Sequence, residues 1–127
     1  MFSMFLIIDT IDKKCEVAIY DGRDIDSQKW QWRKDTGTEV LQNIQKLLKK
    51  RHKTLQNIST IIVNQGPGSY TGTRVGITIA NSLGWSLNIP VTGFSGKFFE
   101  AARKIEEKLS KNKLPKNHFP TPIYEKS

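Results

Sequence analysis

A glycine-rich segment between an apolar run and a long helical pattern constrains the fold more than any other part of this chain. Residues 66–76 read Gly-Pro-Gly-Ser-Tyr-Thr-Gly-Thr-Arg-Val-Gly. They follow the apolar run 60–64 and open a helical pattern that lasts to about Leu87. Glycine permits positive φ and close backbone approach, and a helix N-terminus presents unpaired N–H groups. The segment therefore predicts a tight turn from a buried strand into a helix.

Two nucleotide-binding motifs do not fit this turn, because their spacing is absent. In a P-loop, four residues separate the first glycine from Gly-Lys-Ser/Thr, but here Thr71 or Thr73 occupies the second glycine position and no lysine follows. The dinucleotide fingerprint finds Thr71 at its third glycine and lacks the acidic partner about 20 residues later. An anion site and a purely structural turn both stay open, the latter with Ser69 or Thr71 as the helix N-cap.

The helix after the turn carries a stripe of small residues. They recur every four positions and share one helix face: Gly72, Gly76, Ala80 and Gly84. Glycine inside a helix costs about 1 kcal/mol relative to alanine, so close packing should offset that cost. Val75, Ile79, Leu83 and Leu87 add an apolar ridge beside the stripe. Two interpretations stay open: the stripe packs against this chain's own sheet or a neighbouring helix, or it receives a helix from another subunit.

Length and charge set broad limits. A chain of 127 residues is long enough for one domain with a core. Its 20 lysines and arginines against 12 acids give a net charge of +8, which suits a nucleic acid or an acidic protein as partner. The excess is concentrated at 46–53 and in the C-terminal stretch from Lys97, and such runs are also typical of solvated helix faces.

The compartment is expected to be the cytoplasm. Cys15 is the only cysteine and lies in a strand-like run, so it predicts a small core residue rather than a disulfide. The apolar N-terminus is short and is stopped by Asp9, and no segment approaches the roughly 20 apolar residues of a membrane span.

The pattern along the chain predicts an α/β fold. Strands are expected at 4–9, 15–21, 26–33, 61–64 and 89–93, and helices from Thr38, from the glycine turn, and at 95–109. The order β-β-β-α-β-α-β-α predicts a mixed five-stranded sheet and is that of ribonuclease-H-like domains. Trp30 and Trp32 are expected on one face of the third strand and Trp85 in the core. The domain is predicted to cover 1–109, followed by an irregular basic tail at 110–127.

Four segments resemble the TsaB (YeaZ) family of bacterial tRNA threonylcarbamoyladenosine biosynthesis proteins. They are 5–10, 15–21, 66–76 and 87–95, and the resemblance covers about residues 4–102. Its most specific part, G-P-G-S-[FY]-T-G-x-R-x-G, is complete here. The resemblance implies an actin/Hsp70/sugar-kinase superfamily fold. It also implies a non-catalytic partner of a TsaD-like subunit, which transfers the threonylcarbamoyl group to N6 of adenosine-37 in tRNA, with a TsaE-like ATPase in the assembly.

The resemblance also implies an interface built from the first two helices. The partner-binding residues predicted on this basis are Glu39, Tyr70, Gly72, Arg74, Gly76, Ile79, Ala80, Leu83 and Gly84. For Arg74 a role in fixing the preceding loop stays open, and for Tyr70 a role in covering the helix end. A homodimer through the same helices is expected when the partner is absent, and any contact with tRNA is expected to be indirect.

The chain departs from the family pattern in three places. Family members usually have a second domain. The position after the first strand reads Asp9-Thr10-Ile11 where the family commonly has Asp-Thr-Ser, and Gly37-Thr38-Glu39 stands where it has His-Ser-Glu. An anion site is therefore predicted to be vestigial. Its residues would be Asp9, Thr10, Gly66, Gly68, Ser69 and Thr71. No metal site is predicted, since His52 and His118 are isolated. The resemblance implies no catalytic residue, and no cofactor is predicted.

The alternative from another class is a ribonuclease-H/RuvC-like nuclease. Such enzymes hold two metal ions with carboxylates on the first strand, the first helix and the fourth strand. Asp9 and Glu39 occupy two suitable places, but the fourth strand ends in Asn64, a neutral and weaker Mg²⁺ ligand.

Overall fold

Five strands form one mixed sheet at the centre of the protein. A computed structural model describes residues 4–33 and 36–96. The strands are β1 Met4–Asp9, β2 Lys14–Tyr20, β3 Ile25–Gln31, β4 Ile58–Asn64 and β5 Val91–Phe94. The helices are α1 Thr36–Lys50 and α2 Tyr70–Leu87, with a short 3₁₀ helix at Leu55–Asn57. The third predicted helix at 95–109 and the tail at 110–127 fall almost wholly outside the described residues.

The strand order is β3-β2-β1-β4-β5. β1 and β3 both pair antiparallel with β2, because short turns join consecutive strands. β4 pairs parallel with both β1 and β5, because a helical crossover precedes each of these pairings. This topology confirms the predicted mixed, ribonuclease-H-like sheet. In the β1–β4 register Ile8 lies opposite Val63, so the carboxyl ends of both strands meet beside the start of α2.

Both described helices pack on the same face of the sheet. Val40, Ile44 and Leu47 of α1 and Ile77 and Ala80 of α2 join one buried cluster with the alternate side chains of β1, β2 and β4. The cluster on the opposite face contains Phe5, Ile7, Ala18, Ile62 and Phe94. β1 is buried on both faces, which explains its continuously apolar sequence.

Several element boundaries differ from those predicted. α1 begins at Thr36, whose hydroxyl accepts a hydrogen bond from the Arg33 amide and donates one to the Arg33 carbonyl. β3 ends at Gln31, so Trp32 lies beyond the strand while Trp30 packs against the core. The prediction that Trp85 is a core residue was wrong. Trp85 is 78% exposed, because the small residues on the other side of α2 are the ones that meet the sheet.

Candidate functional site

The glycine-rich turn is fixed by hydrogen bonds within the chain. Ser69 is the N-cap of α2, and its Oγ accepts from the Gly72 amide at 3.0 Å, which confirms one of the two predicted caps. The Ser69 amide donates to the Ile11 carbonyl at 2.9 Å, and the Gly66 amide donates to Asn64 Oδ1 at 3.0 Å. Gly66 has a φ of 95°, a conformation that favours glycine. The turn is thereby attached to the ends of β1 and β4.

The small-residue stripe of α2 faces the protein's own sheet. A Cβ at Gly76 would lie 2.5 Å from Thr10 Oγ1 and 3.6 Å from methyl groups of Ile8 and Val63. A Cβ at Gly72 would collide with the Thr10 carbonyl, and one at Gly84 with the Val91 side chain. All four stripe residues are buried: Gly72, Gly76, Ala80 and Gly84.

The prediction that these four residues bind a partner was therefore wrong. The stripe does serve close approach, but β1, β4 and β5 are what approaches it, and no space is left for a second helix. A bulky residue at Gly76 would disturb the domain's own packing rather than an interface.

The six residues of the predicted anion site lie near one another, but several of their polar groups bond within the chain. Thr10 Oγ1 donates to the Gly72 carbonyl at 2.6 Å, and Ser69 Oγ caps the helix. A Cβ at Gly68 would lie 2.5 Å from Ile11 Cβ, so this glycine serves close packing. Asp9 adds a carboxylate beside the turn, which disfavours a bound anion. These contacts favour the structural interpretation of the turn.

Asp9 is coupled to β4 through Asn64. Asn64 Nδ2 donates to Asp9 Oδ2 at 3.1 Å, and the Ile11 amide donates weakly to Asp9 Oδ1 at 3.4 Å. Burial raises the pKa of Asp9 despite these hydrogen bonds. Cys15 is buried as predicted, and burial, followed by the charges of Asp9, Glu39 and Asp12, raises the pKa of its thiol to about 11. The thiol is thus protonated and unreactive at neutral pH.

The described residues lack the grouped acidic side chains that a metal-dependent nuclease needs. Within residues 4–33 and 36–96, no three or more His, Cys, Asp or Glu side chains are grouped so as to hold a metal ion. Asp9 is joined to the amide of Asn64 rather than to a second carboxylate. The geometry therefore gives no support to the nuclease alternative.

An apolar groove lies on the outer side of α2, beside the first turn of α1. We call it the outer groove; its volume is about 410 Å³. Its lining residues are Gly37, Tyr70, Thr71, Arg74, Val75, Thr78 and Ile79. Arg74 Nη1 donates to the Tyr70 hydroxyl at 2.5 Å, and its guanidinium lies 5.2 Å from the Tyr70 ring centroid. Arg74 thus fixes Tyr70, which is 56% exposed, along the edge of the groove.

The outer groove brings together three of the predicted partner-binding residues: Tyr70, Arg74 and Ile79. Leu83 is partly buried against the core, and Glu39 is partly buried on α1, where its carbonyl accepts from Asn43. Thr78 and Gly37 were not predicted. Helical spacing could have identified Thr78, which follows Arg74 by four residues and Thr71 by seven.

Comparison with known proteins decides the family. The family model described as TsaD, tRNA N6-adenosine threonylcarbamoyltransferase, matches residues 34–96. The TsaB protein of Buchnera aphidicola from Schizaphis graminum is 37% identical over 95 residues, 75% of this chain and 45% of its own length. That of Escherichia coli is 30% identical over 90 residues, 71% of this chain and 39% of its own. Over its N-terminal part, this chain belongs to the TsaB (YeaZ) family.

A solved structure supports the same family assignment. YeaZ from Pseudomonas aeruginosa superposes with a TM-score of 0.71 at 26% identity, covering 84% of this chain and 50% of that one. The TsaB relatives are named as tRNA threonylcarbamoyladenosine biosynthesis proteins. The chain spans less than half the length of these two curated TsaB relatives. In the part of the chain that the structure describes, no helix is long and apolar enough to cross a membrane.

Proposed function

We propose that this chain is a non-catalytic subunit that binds a TsaD-like catalytic subunit during synthesis of threonylcarbamoyladenosine in tRNA. The observation that carries the proposal is the outer groove, an exposed apolar surface on a TsaB-type domain. In this assignment the TsaD-like subunit transfers the threonylcarbamoyl group, a TsaE-like ATPase joins the assembly, and the reaction takes place in the cytoplasm.

A partner needs more surface than the outer groove alone, because a stable interface buries about 800 Å² on each side. The outer side of α2 continues from the groove toward Trp85, which follows Thr78 by seven residues and is 78% exposed. On α1, Leu41 is 45% exposed. Large aromatic side chains are the commonest source of binding energy at protein interfaces. We therefore include Trp85 and Leu41 in the proposed interface with Tyr70, Arg74 and Ile79.

The proposal assigns no chemistry to this chain. The Cys15 thiol is buried with a raised pKa, and Asp9 is bonded to Asn64. These arrangements support an accessory role, in which the chain holds or orders its partner.

Isothermal calorimetry with the TsaD-like protein of the same organism tests the interface. We expect Thr78→Arg to weaken binding at least about tenfold, or about 1.4 kcal/mol, because a charged side chain would enter an apolar groove. Gln42→Arg is the matched control, since it adds the same charge at an exposed α1 position that does not line the groove. We expect the control to bind within about twofold of the parent.

Two further measurements make the result decisive. Circular dichroism should show both variants folded like the parent. Thr78→Arg should also lower threonylcarbamoylation of tRNA in a reconstituted reaction. If this variant binds the TsaD-like protein as tightly as Gln42→Arg does, the outer groove is not the interface. If the isolated chain forms a dimer that Thr78→Arg dissociates, the same surface also mediates self-association.

A further inference from the structure

The C-terminal half of α1 and the following turn carry cations without neighbouring acids in the sequence. No aspartate or glutamate stands between Glu39 and Glu100. In that interval lysine and arginine are concentrated at 46–53, where five of eight residues are basic: Lys46, Lys49, Lys50, Arg51 and Lys53. The tertiary structure determines which of these charges face solvent.

Two of the five cations are paired across the sheet edge. Arg51 binds Asp21 Oδ2 through Nη1 and Asp26 Oδ2 through Nε, each at 2.6 Å, and Lys50 lies 4.0 Å from Asp26. Arg51 thereby ties the end of α1 to the β2–β3 hairpin. The ion pairs found within residues 4–33 and 36–96 do not include Lys46, Lys49 or Lys53.

Lys46 and Lys49 lie one turn apart on α1, and Lys53 follows in the turn after the helix. All three are exposed. Lys49 and Lys53 line a groove of about 510 Å³, here called the basic groove, between the end of α1 and the 3₁₀ helix. The other lining residues are Gln45, Leu48, His52, Thr54, Leu55 and Gln56. Its polar side chains supply hydrogen-bond donors, and none of its lining residues is acidic.

The chain turns sharply at the end of α1, beside the basic groove. His52 adopts a left-handed conformation with a φ of 55°, and the Lys53 amide donates to the Leu48 carbonyl at 2.9 Å. This closure satisfies a terminal carbonyl of the helix and turns the chain toward Thr54. The negative end of the helix dipole disfavours anions, and the three lysines place positive charges beside it.

We propose that the basic groove binds the phosphate backbone of the substrate RNA. The choice of RNA among polyanions rests on the proposed function. The charge complementarity rests on Lys49 and Lys53, which line the groove, and on Lys46, one turn before Lys49 on α1. Lysine and amide groups donate to phosphate oxygens, and such backbone contacts position a nucleic acid without reading its sequence. This contact is direct, in contrast to the indirect contact expected from the sequence.

The basic groove and the outer groove are at opposite ends of α1. Gly37 of the outer groove is in the first turn of this 15-residue helix, and Lys49 of the basic groove is in its last turn. At 1.5 Å per residue these positions are about 18 Å apart along the axis. The RNA and the protein partner therefore do not compete for the same residues.

Fluorescence anisotropy with a labelled, unmodified tRNA transcript tests the proposal on the 127-residue chain. The test variant is Lys46→Gln/Lys49→Gln/Lys53→Gln. The matched control, Lys13→Gln/Lys14→Gln/Lys29→Gln, removes three exposed lysines from the β1–β2 turn, β2 and β3. We expect the test variant to bind at least about tenfold more weakly. The slope of log K against log salt concentration should be less steep by about 2 units. The control should stay within about threefold of the parent.

The alternatives give different results. If both triple variants lose affinity equally, net charge rather than the basic groove accounts for binding, and the proposal is overturned. Absence of RNA binding by the parent also overturns it, as does binding to vesicles of anionic phospholipid in place of tRNA. The test variant should still bind the TsaD-like protein as the parent does. A loss of tRNA binding with retained partner binding therefore separates this proposal from the proposed function.

Discussion

At the scale of single residues, contact distances explain why α2 tolerates glycines that its helical propensity disfavours. Gly84 approaches β5 so closely that a Cβ would collide with a methyl group of Val91 and lie 3.2 Å from the Ile89 carbonyl. Gly76 approaches Thr10 and β1 in the same way. Each glycine costs about 1 kcal/mol in helix propensity relative to alanine. It also allows the helix to pack close to the sheet.

Gly84→Ala should destabilise the protein by about 1–3 kcal/mol, because overpacking outweighs the gain in propensity. In a Val91→Ala background the colliding methyl is absent, so the same change should cost at least about 1 kcal/mol less. Urea unfolding of the parent, both single variants and the double variant measures this coupling. An equal cost of Gly84→Ala in both backgrounds would show that Val91 is not the limiting contact.

Asp21, in the turn between β2 and β3, stabilises the folded protein through its charge. Its Oδ1 accepts from the amides of Asp24 at 2.9 Å and Arg23 at 3.0 Å, while its Oδ2 pairs with Arg51. The hydrogen bond from Asp24, supported by those from Arg23 and Arg51 and by the Arg51 charge, lowers the pKa of Asp21 to about 2. A carboxyl with a lower pKa in the folded state stabilises the protein above its unfolded pKa of about 4.

This stabilisation should be lost as the pH falls from about 4 to about 2. We expect Asp21→Asn to be less stable than the parent at pH 6 by under about 1 kcal/mol, because the side chain is 32% exposed and solvent screens the pair. The difference should close by pH 2, and urea unfolding across this range measures it. Asp24→Asn removes a charge from the same turn without the Arg51 contact, so it should not show the same pH-dependent difference.

At the scale of elements, α2 has two sides with different roles. Its small-residue side packs on β1, β4 and β5, and its outer side carries Tyr70, Arg74 and Trp85. The orientation of the helix is fixed at its start, where Ser69 caps it and the Ser69 amide donates to the Ile11 carbonyl, just after β1. The cap therefore contributes to the placement of the outer groove as well as to stability.

Ser69→Ala should lower the free energy of unfolding by about 1 kcal/mol, because the Gly72 amide loses its acceptor in the first turn of α2. Ser69→Asp keeps an acceptor beside the helix N-terminus and should recover most of this loss. Ser82→Ala, at an exposed interior position of the same helix, controls for the removal of a serine hydroxyl. Thermal and urea unfolding measure all three, and equal stability of Ser69→Ala and the parent would contradict the role of the cap.

At the scale of the whole molecule, the sheet topology places two surfaces at opposite ends of α1. The order β3-β2-β1-β4-β5 puts α1 and α2 side by side on one face, which forms the outer groove. The pairing of Arg51 with the β2–β3 hairpin secures the other end of α1, where the basic groove lies. A single domain thus carries one surface that suits a protein and another that suits a polyanion.

Much of this fold was predictable from the sequence, because periodicity and turn residues act locally. The continuous apolar run of β1, the amphipathic pattern of α1 and the glycine turn predicted their elements correctly, with boundary shifts of a few residues. The surface sites were less predictable. Tyr70, Arg74 and Ile79 do line one groove, but Trp85 was placed in the core and Thr78 was not predicted.

The sequence by itself determined that α2 has a side built for close approach, since Gly72, Gly76, Ala80 and Gly84 share one face. It also determined that acids are absent from 40–99. Only the tertiary structure decided that the sheet occupies the small-residue side and that Arg51, but not Lys49 or Lys53, is paired with the hairpin. The physical reason is that helical periodicity fixes which residues share a face, whereas the neighbour of that face depends on contacts between distant parts of the chain.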